Sequence, residues 1–394
     1  EDKLIAEIAD NEIRYIICKQ NSEIEYKVLN KKVSVNTGIH RGKIINFDHT
    51  LKKINDDVKN IEKESSKIFK NISIVINEPE MLCTNITGIK NLNGSRVEKR
   101  DLDYIINEAK SSIIKNQEKN SILHILNSNY ILDKKEKSNI PLNLRGDQLG
   151  LHMTFISLPT DKLKNISSLF NNNDIKVDRF VSKPFAYGID LLKKKKNLKN
   201  FTLINLEKEM TSISLYEDSS LIFLRTYPFG TNSIYRDIMQ LCSLTQKEIL
   251  PIINNLNLKN EKIDKKIYID KSLFTDSEFK HLSVNHIKEI INTRIIEMTN
   301  YTFNKNKNLK YLNKKDLEIY LFFEDENILK KLSHLFENSL KTSSSFKKIE
   351  SLSQTHFTAL SGAAELILNG WYKEAIPLKN RKKSIISSFF ERFF

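Results

Sequence analysis

The chain has 394 residues, 40% of them hydrophobic, which is ordinary for a globular protein of two or three domains. Its 63 Lys and Arg outnumber 49 Asp and Glu, giving a net charge of +14. That excess raises nucleic acid as a partner, but the basic residues are spread along the chain, and no helix-turn-helix, zinc spacing or aromatic ribonucleoprotein motif accompanies them. No run of about 18 apolar residues occurs, so no transmembrane helix is expected. Cys18, Cys83 and Cys242 are odd in number and widely spaced, which argues against a disulfide framework and fits a reducing cytoplasm. The ten glycines fall well below the usual share of about 7%, and no P-loop or GxGxxG can be drawn from them.

In chain order, EDKLIAEIAD reads as an acidic, strand-like start and not as a signal peptide. Alternating and β-branched apolar residues predict strands over 3–9, 12–18 and 24–35. Leu51, Ile54, Val58 and Ile61 predict a helix over 48–68, with Asp48 as its cap. A buried strand follows at 71–77. A strand near 82–90, a helix over 100–116 and strands near 121–132 and 147–157 form a compact unit. Asp101 and Asp103 suit the positive end of that helix. A helix at 160–171, a strand at 175–181 and a helix at 184–193 return the chain to α/β character. A new domain begins at Phe201 with strands at 201–207, 211–217 and 220–229. Helices over 231–242, 244–254 and 282–305, a strand at 317–323 and helices over 326–340 and 356–371 complete the body. Two successive β-β-β-α halves indicate a duplicated architecture.

The last sixteen residues, KNRKKSIISSFFERFF, form a separate feature. Ile386, Phe389, Phe390, Phe393 and Phe394 share one helical face with Ile385 beside it, while Ser384, Ser387, Ser388, Glu391 and Arg392 take the other. With Lys379, Arg381, Lys382 and Lys383 ahead of them, they predict a helix lying in a membrane interface. The alternative is a terminal helix docked on its own core. A fully buried Phe or Ile gains roughly 1.5–3 kcal/mol, and each basic residue near an anionic leaflet adds about 1 kcal/mol. Ordering the helix subtracts roughly 1–2 kcal/mol per residue. The anchor is therefore weak until many copies are linked.

The order and spacing of several segments resemble the FtsA family of actin-like bacterial cell-division proteins. GIHRGKIINFD (38–48) resembles that family's lead-in to its first helix. RVEKRDLDYIINEAK (96–110), ILHILNSNYILD (122–133) and IPLNLRGDQLGLHM (140–153) resemble its inserted strand-helix-strand-strand subdomain. RTYPFGTNSIYRDI (225–238) is similar to its second-domain hairpin and helix, and EIINTRIIEM (289–298) to a helix bearing an arginine. The amphipathic end after a basic linker is also a family feature. The resemblance implies an α/β, actin-like two-domain body of the ATPase-fold type. Residues 1–80 and 160–198 would form the first domain, 81–159 the inserted (SHS2) subdomain, 199–375 the second domain, and 376–394 the linker and membrane-targeting helix.

The departures concern nucleotide. Where the family has a Gly-Thr-Ser/Ala-Lys hairpin, this chain has Ala9-Asp10-Asn11-Glu12. Where the family has Asp-x-Gly-Gly-Gly-Thr-x-Asp, it has Asn205-Leu206-Glu207-Lys208-Glu209-Met210-Thr211-Ser212. The adenosine motif Thr-Gly-Gly falls on Phe322-Phe323-Glu324. Glu7 alone matches the first motif's acidic position. Phosphate cradles need backbone N–H groups that glycine leaves approachable, and metal-phosphate chemistry wants carboxylates for the cation and a lysine for the anion. ATP and magnesium are therefore not expected as cofactors, and no enzymatic activity is expected.

The resemblance implies further partners. Arg294, with Lys288 nearby, matches the region that receives the acidic C-terminal peptide of FtsZ. Self-association through the inserted subdomain, anionic inner-membrane lipids and other divisome proteins are implied as well, at the cytoplasmic side of the division site. Two alternatives stay open: an ATP-binding actin-like protein with a rebuilt site, and a pilus-type membrane adaptor of the same superfamily. His124 and His152 read as structural histidines, no His pairs with Cys or Asp at metal spacing, and Ser361-Gly362 is not a nucleophile elbow. Trp371 beside Tyr372 reads as a core plug or lid.

Overall fold

A computed structural model describes residues 2–22, 25–137, 139–256, 267–309, 317–341 and 347–375. The chain divides into two compact units, one of residues 1–200, 214–226 and 356–394, the other of 201–213 and 227–355. The predicted membrane helix and its linker, including Lys382, Lys383, Ile385, Ile386, Phe389, Phe390, Phe393 and Phe394, lie outside the described residues.

The first unit opens with β1 (Asp2–Ala9), β2 (Glu12–Gln20) and β3 (Tyr26–Val35), followed by the small hairpin β4 (Ile39–His40) and β5 (Lys43–Ile44). Then come α1 (Phe47–Ser65), β6 (Asn71–Ile76), β7 (Leu82–Asn91), α2 (Lys99–Asn116), β8 (Asn120–Leu132), β9 (Lys135–Lys137) and β10 (Gln148–Pro159). α3 (Thr160–Asn171), β11 (Lys176–Ser182) and α4 (Lys183–Lys194) complete this stretch. One sheet has the order β11-β6-β1-β2-β3, with β1 antiparallel to β2 and parallel to β6. The centres of β1 and β2 are buried on both faces, as their largely apolar runs require, with Glu7 and Arg14 buried among them. The cap of α1 is Asn46, whose side chain accepts from His49 N at 3.0 Å, and not the expected Asp48. Asp48 falls in the first turn, where its charge suits the helix dipole.

Between β6 and α3 lies a second sheet of order β7-β10-β8-β9, with α2 packed on it. The expected strand, helix, strand, strand order is present, with the short β9 as an unpredicted addition. Asp101 completes a capping box by accepting from Glu98 N at 2.8 Å, and it also receives Lys90 Nζ at 2.6 Å. Ile105, Ala109 and Ile113 of α2 meet Leu149, Leu151, Met153 and Phe155 of β10 in one apolar cluster.

The second unit carries β12 (Phe201–Leu206) and the start of β13 (Thr211–Glu217), whose later half turns through Asp218 and Ser219 into β14 (Ser220–Tyr227). Its helices are α5 (Asn232–Cys242), α6 (Gln246–Asn255), α7 (Val284–Thr299) and α8 (Glu326–Lys341). β15 (Glu318–Phe323) runs parallel to both β12 and β16 (Lys348–Ser353). Two expectations differ here. The helix expected to 305 ends at Thr299 and passes into a π-turn over Asn300–Asn304. Thr299 and Thr302 hydroxyls donate back to the Ile295 and Met298 carbonyls at 2.9 and 2.8 Å, competing with the helix ladder. β16 was not expected, because a short, half-buried edge strand such as KIESLS has little apolar signal.

α9 (Thr358–Leu368) returns to the first unit and crosses α4. A Cβ on Gly362 would lie 1.8 Å from the Ala186 carbonyl oxygen, so the two backbones touch there. Gly370 then ends the helical run with φ at +75°, a left-handed turn that glycine adopts without strain.

A buried polar cluster joins three segments of this unit. His124 of β8, fully buried, pairs its Nδ1 with Glu374 Oε1 at 2.7 Å, and its Nε2 accepts from Ser182 N at 3.0 Å. Because Nε2 accepts, the proton sits on Nδ1 and is donated to Glu374. Arg179 Nη2 meets the same Glu374 oxygen at 2.5 Å. Burial holds the His124 pKa below its ordinary 6.5, against the pull of Glu374. Burial alone would raise Glu374, but Arg179 and the His124 bond hold its carboxyl down at about 2. His124 is thus a satisfied structural histidine.

Two outcomes follow from this packing. Gly362→Ala should lower stability by at least about 1–3 kcal/mol, because the new methyl meets backbone that cannot move aside. An unchanged melting temperature would show that α4 and α9 do not meet there. For pH, both His124 and Glu374 have folded pKa values below their unfolded ones. Their contributions are complete above the unfolded pKa values and are lost as pH falls through the folded ones. The melting temperature should therefore decline on acidification from about pH 6.5, the ordinary histidine value. His124→Gln should flatten the part of that decline above about pH 4.5; an equally steep decline in this variant would remove His124 as its source.

Candidate functional site

In the first unit, the turn between β1 and β2 reverses with Asn11 at φ +56°. Asp10 Oδ1 accepts the Arg41 backbone N–H at 2.6 Å and lies 3.2 Å from His40 Nδ1. Glu12 meets Arg14 at 2.5 Å. Behind the turn, the fully buried Glu7 receives Arg14 at 3.1 Å and Lys183 at 2.9 Å. The carboxylates of this hairpin are all engaged with donors of the same unit.

In the second unit the structure brings two of the three sequence segments together. The end of β15 reaches the β12–β13 turn: Glu324 N donates to Leu206 O at 3.1 Å, and Glu324 Oε2 accepts the Lys208 backbone N–H at 2.9 Å. Glu209, nearly buried, receives both carboxylate bonds of Arg236 Nη1 at 3.0 Å and Asn232 Nδ2 at 2.8 Å. The start of α5 closes on the same turn, with Thr231 N to Glu207 O and Asn232 N to Lys208 O both at 2.9 Å. A Cβ on Gly230 would lie 2.4 Å from Glu207 O, so this glycine is required by backbone contact with the turn.

The strand positions are equally occupied. Asn205 is fully buried and donates to Ser212 Oγ at 3.0 Å, a neutral pair where a metal site would want charge. Phe322 and Phe323 are core side chains, and Phe323 meets Phe336 edge-on at 5.5 Å. No group of three or more His, Cys, Asp or Glu side chains that could hold a metal ion occurs among the described residues.

Arg294 is committed within its own unit. It forms a two-pronged pair with Asp237 at 2.5 and 2.8 Å and contacts Glu297 at 2.7 Å. The Asp237 bond, opposed by partial burial, raises the guanidinium pKa. The geometry makes Arg294 a tie between α5 and α7; Lys288 on α7 also has interactions of its own. Arg236 and Asp237, adjacent in YRDI, were not singled out in sequence, since a charge pair on a helix reads as solvated until its partners are known. Trp371 is half-buried and donates from Nε1 to Ser219 O at 3.2 Å, making it a rim contact more than a core plug.

The comparisons with known proteins bear on the whole arrangement. A family model described as the SHS2 domain inserted in FtsA matches residues 80–157, the segment from β7 to β10. The cell division protein FtsA of Buchnera aphidicola from Schizaphis graminum is 23% identical over 291 residues, 73% of this chain and 68% of that protein. FtsA of Borreliella burgdorferi is 22% identical over 237 residues, 60% of this chain and 57% of its own length. The chain thus spans between about half and two thirds of such relatives. Among solved structures, a chain of the PilM–PilN type IV pilus biogenesis complex superposes with a TM-score of 0.58 at 10% identity, covering 91% of this chain and 89% of that one. That likeness establishes an actin-like fold without bearing on activity. With the inserted subdomain placed between β6 and α3, the chain contains an SHS2 domain of the kind inserted in FtsA, and it is similar to FtsA proteins at 22–23% identity over as much as 73% of its length.

Proposed function

We propose that this protein is a division-site membrane adaptor that works without hydrolysing ATP. An actin-like body self-associates through its inserted subdomain, engages FtsZ through its second unit, and attaches to anionic inner-membrane lipid through Ile386, Phe389, Phe390 and Phe393. The observation that carries this reading is the match of the inserted subdomain to the one found in FtsA. The relatives named for cell division support the same role.

The absence of hydrolysis is supported by the hairpin chemistry. The carboxylates of Glu324 and Glu209 take donors that phosphate oxygens would otherwise need, and their like charge opposes a triphosphate. Asn205 and Ser212 supply no charge for a metal. The residues present do not fit a metal–triphosphate group. FtsZ recognition would fall on the second unit by family likeness. Arg294 would support it by holding α5 against α7, since its guanidinium is already filled by Asp237 and Glu297.

Flotation with phosphatidylglycerol vesicles tests the tether. The full chain should carry FtsZ to the lipid, and Phe389→Asp with Phe393→Asp should abolish recruitment while the body stays folded, because charges on the inserted face are costly to bury. Persistence of the double variant on vesicles would show that the tail is not the anchor. Calorimetry with ATP and magnesium tests the second half. A site filled to a hundred times its Kd would stabilise the fold by about 2.7 kcal/mol; no heat of binding and no thermal shift are expected. Micromolar affinity would overturn the non-hydrolysing reading in favour of a rebuilt nucleotide site.

A further inference from the structure

The segment Trp371–Ala375 leaves α9 through Gly370 and runs along β8 of the inserted subdomain. Asn127 N donates to Lys373 O and Ala375 N to Ile125 O, both at 2.7 Å, framing an antiparallel bridge between Leu126 and Glu374. β9 pairs with β8 only at Tyr130–Leu132, so the strap covers a stretch of β8 edge that β9 does not reach. Ala375 packs against the subdomain's apolar cluster. Lys373 Nζ reaches Ser128 O at 3.3 Å and Asp218 Oδ2 at 3.2 Å, and Trp371 holds Ser219 O. Between these rim contacts, the Glu374 side chain enters the interior and meets His124 and Arg179.

Three features distinguish this strap from the elements around it. It is joined to α9 at a glycine in left-handed conformation, where the chain can turn with little strain. Its backbone ties are two hydrogen bonds to one strand, a small fraction of what holds β7, β8 and β10 together. Its most deeply buried side chain is the charged Glu374, whose removal leaves Arg179, about nine-tenths buried, without that carboxylate, although the Leu366 carbonyl still receives its other nitrogen at 3.3 Å.

We propose that Trp371–Ala375 is a releasable latch pinned by Glu374, which fixes the root of the C-terminal segment to the inserted subdomain and opens as a unit ahead of the body. When it opens, Ile125 O and Asn127 N on the β8 edge lose their partners, so the docking of residues 371–375 and the state of that edge are coupled. The coupling is carried by contiguous backbone and one buried charge pair, and needs no nucleotide. It stands whether or not the chain beyond it binds lipid.

Hydrogen exchange on the full chain tests this, with Glu374→Ala and Glu374→Gln compared with the unmodified protein. Leaving the buried guanidinium without its carboxylate should raise exchange in 371–375, and at the Asn127 amide, roughly a hundredfold. α9 and the β1–β2 pair should keep their protection. Glu374→Gln, which keeps an acceptor but not the charge, should fall between the two. Trypsin cleavage after Lys373 in the native protein should accelerate in the same order. Unchanged strap exchange in Glu374→Ala would overturn the pin. Loss of protection throughout the first unit would overturn the latch, because Glu374 would then be part of the global core.

Discussion

The carboxylate of Glu324 reaching the backbone amide of Lys208 is a small contact on which the character of the second unit turns. A hairpin tip with free N–H groups is an anion receptor; the same tip closed by a carboxylate from its own unit is a finished piece of structure. Closure is reinforced by Glu209 on Arg236 and by the start of α5, which donates two backbone bonds to Glu207 and Lys208. The first hairpin follows the same principle, with Asp10 holding the Arg41 amide and Glu12 holding Arg14. Each of these two turns is therefore closed by groups of its own unit.

Internal completion changes what can regulate such a body. Where a bound nucleotide organises an actin-like chain, assembly can follow its hydrolysis. Where the charges that close a turn belong to the chain itself, that turn is held by the fold's own contacts. The inserted subdomain has its own apolar cluster and its own capped helix, so it can present a surface without help from the rest. The one segment that joins it to the end of the described chain is the Glu374 strap. The buried charge in that strap makes it selective: a carboxylate between a neutral imidazole and a guanidinium is well placed only when all three segments are docked.

Much of the architecture was legible in the residues because it rests on local patterns. Alternating or running apolar, β-branched residues marked β1, β2 and β12 as strands, and 3.6-residue spacing marked α1 and α8, whose Ile328, Leu332 and Phe336 are buried as that spacing requires. The inserted subdomain was legible from ordered motifs, with Asp101 seen correctly at its helix start. What was missed is short or polar: the β4–β5 hairpin, β9 and β16 carry too few apolar residues to signal a strand. Asp48 was mistaken for the cap because a first-turn acid and a cap residue look alike without backbone angles. The replacement of glycines at the hairpin turns was visible in the chain, whereas the partners of the substituted carboxylates were not.

The sequence by itself determined most of the strand and helix order, the place of the inserted subdomain, the absence of glycine from residues 9–12 and 205–212, and the amphipathic character of the last residues. Each is set by neighbours within about ten positions, over which side-chain periodicity and glycine content act directly on the backbone. Only the tertiary structure decided that Glu324 would cap Lys208, that Arg294 would be spent on Asp237, and that Glu374 would sit between His124 and Arg179. Those pairings join residues separated by 57 to 250 positions. A charged side chain carries no mark of its distant partner, because the attraction takes effect only after the fold has brought the two together and removed the water between them.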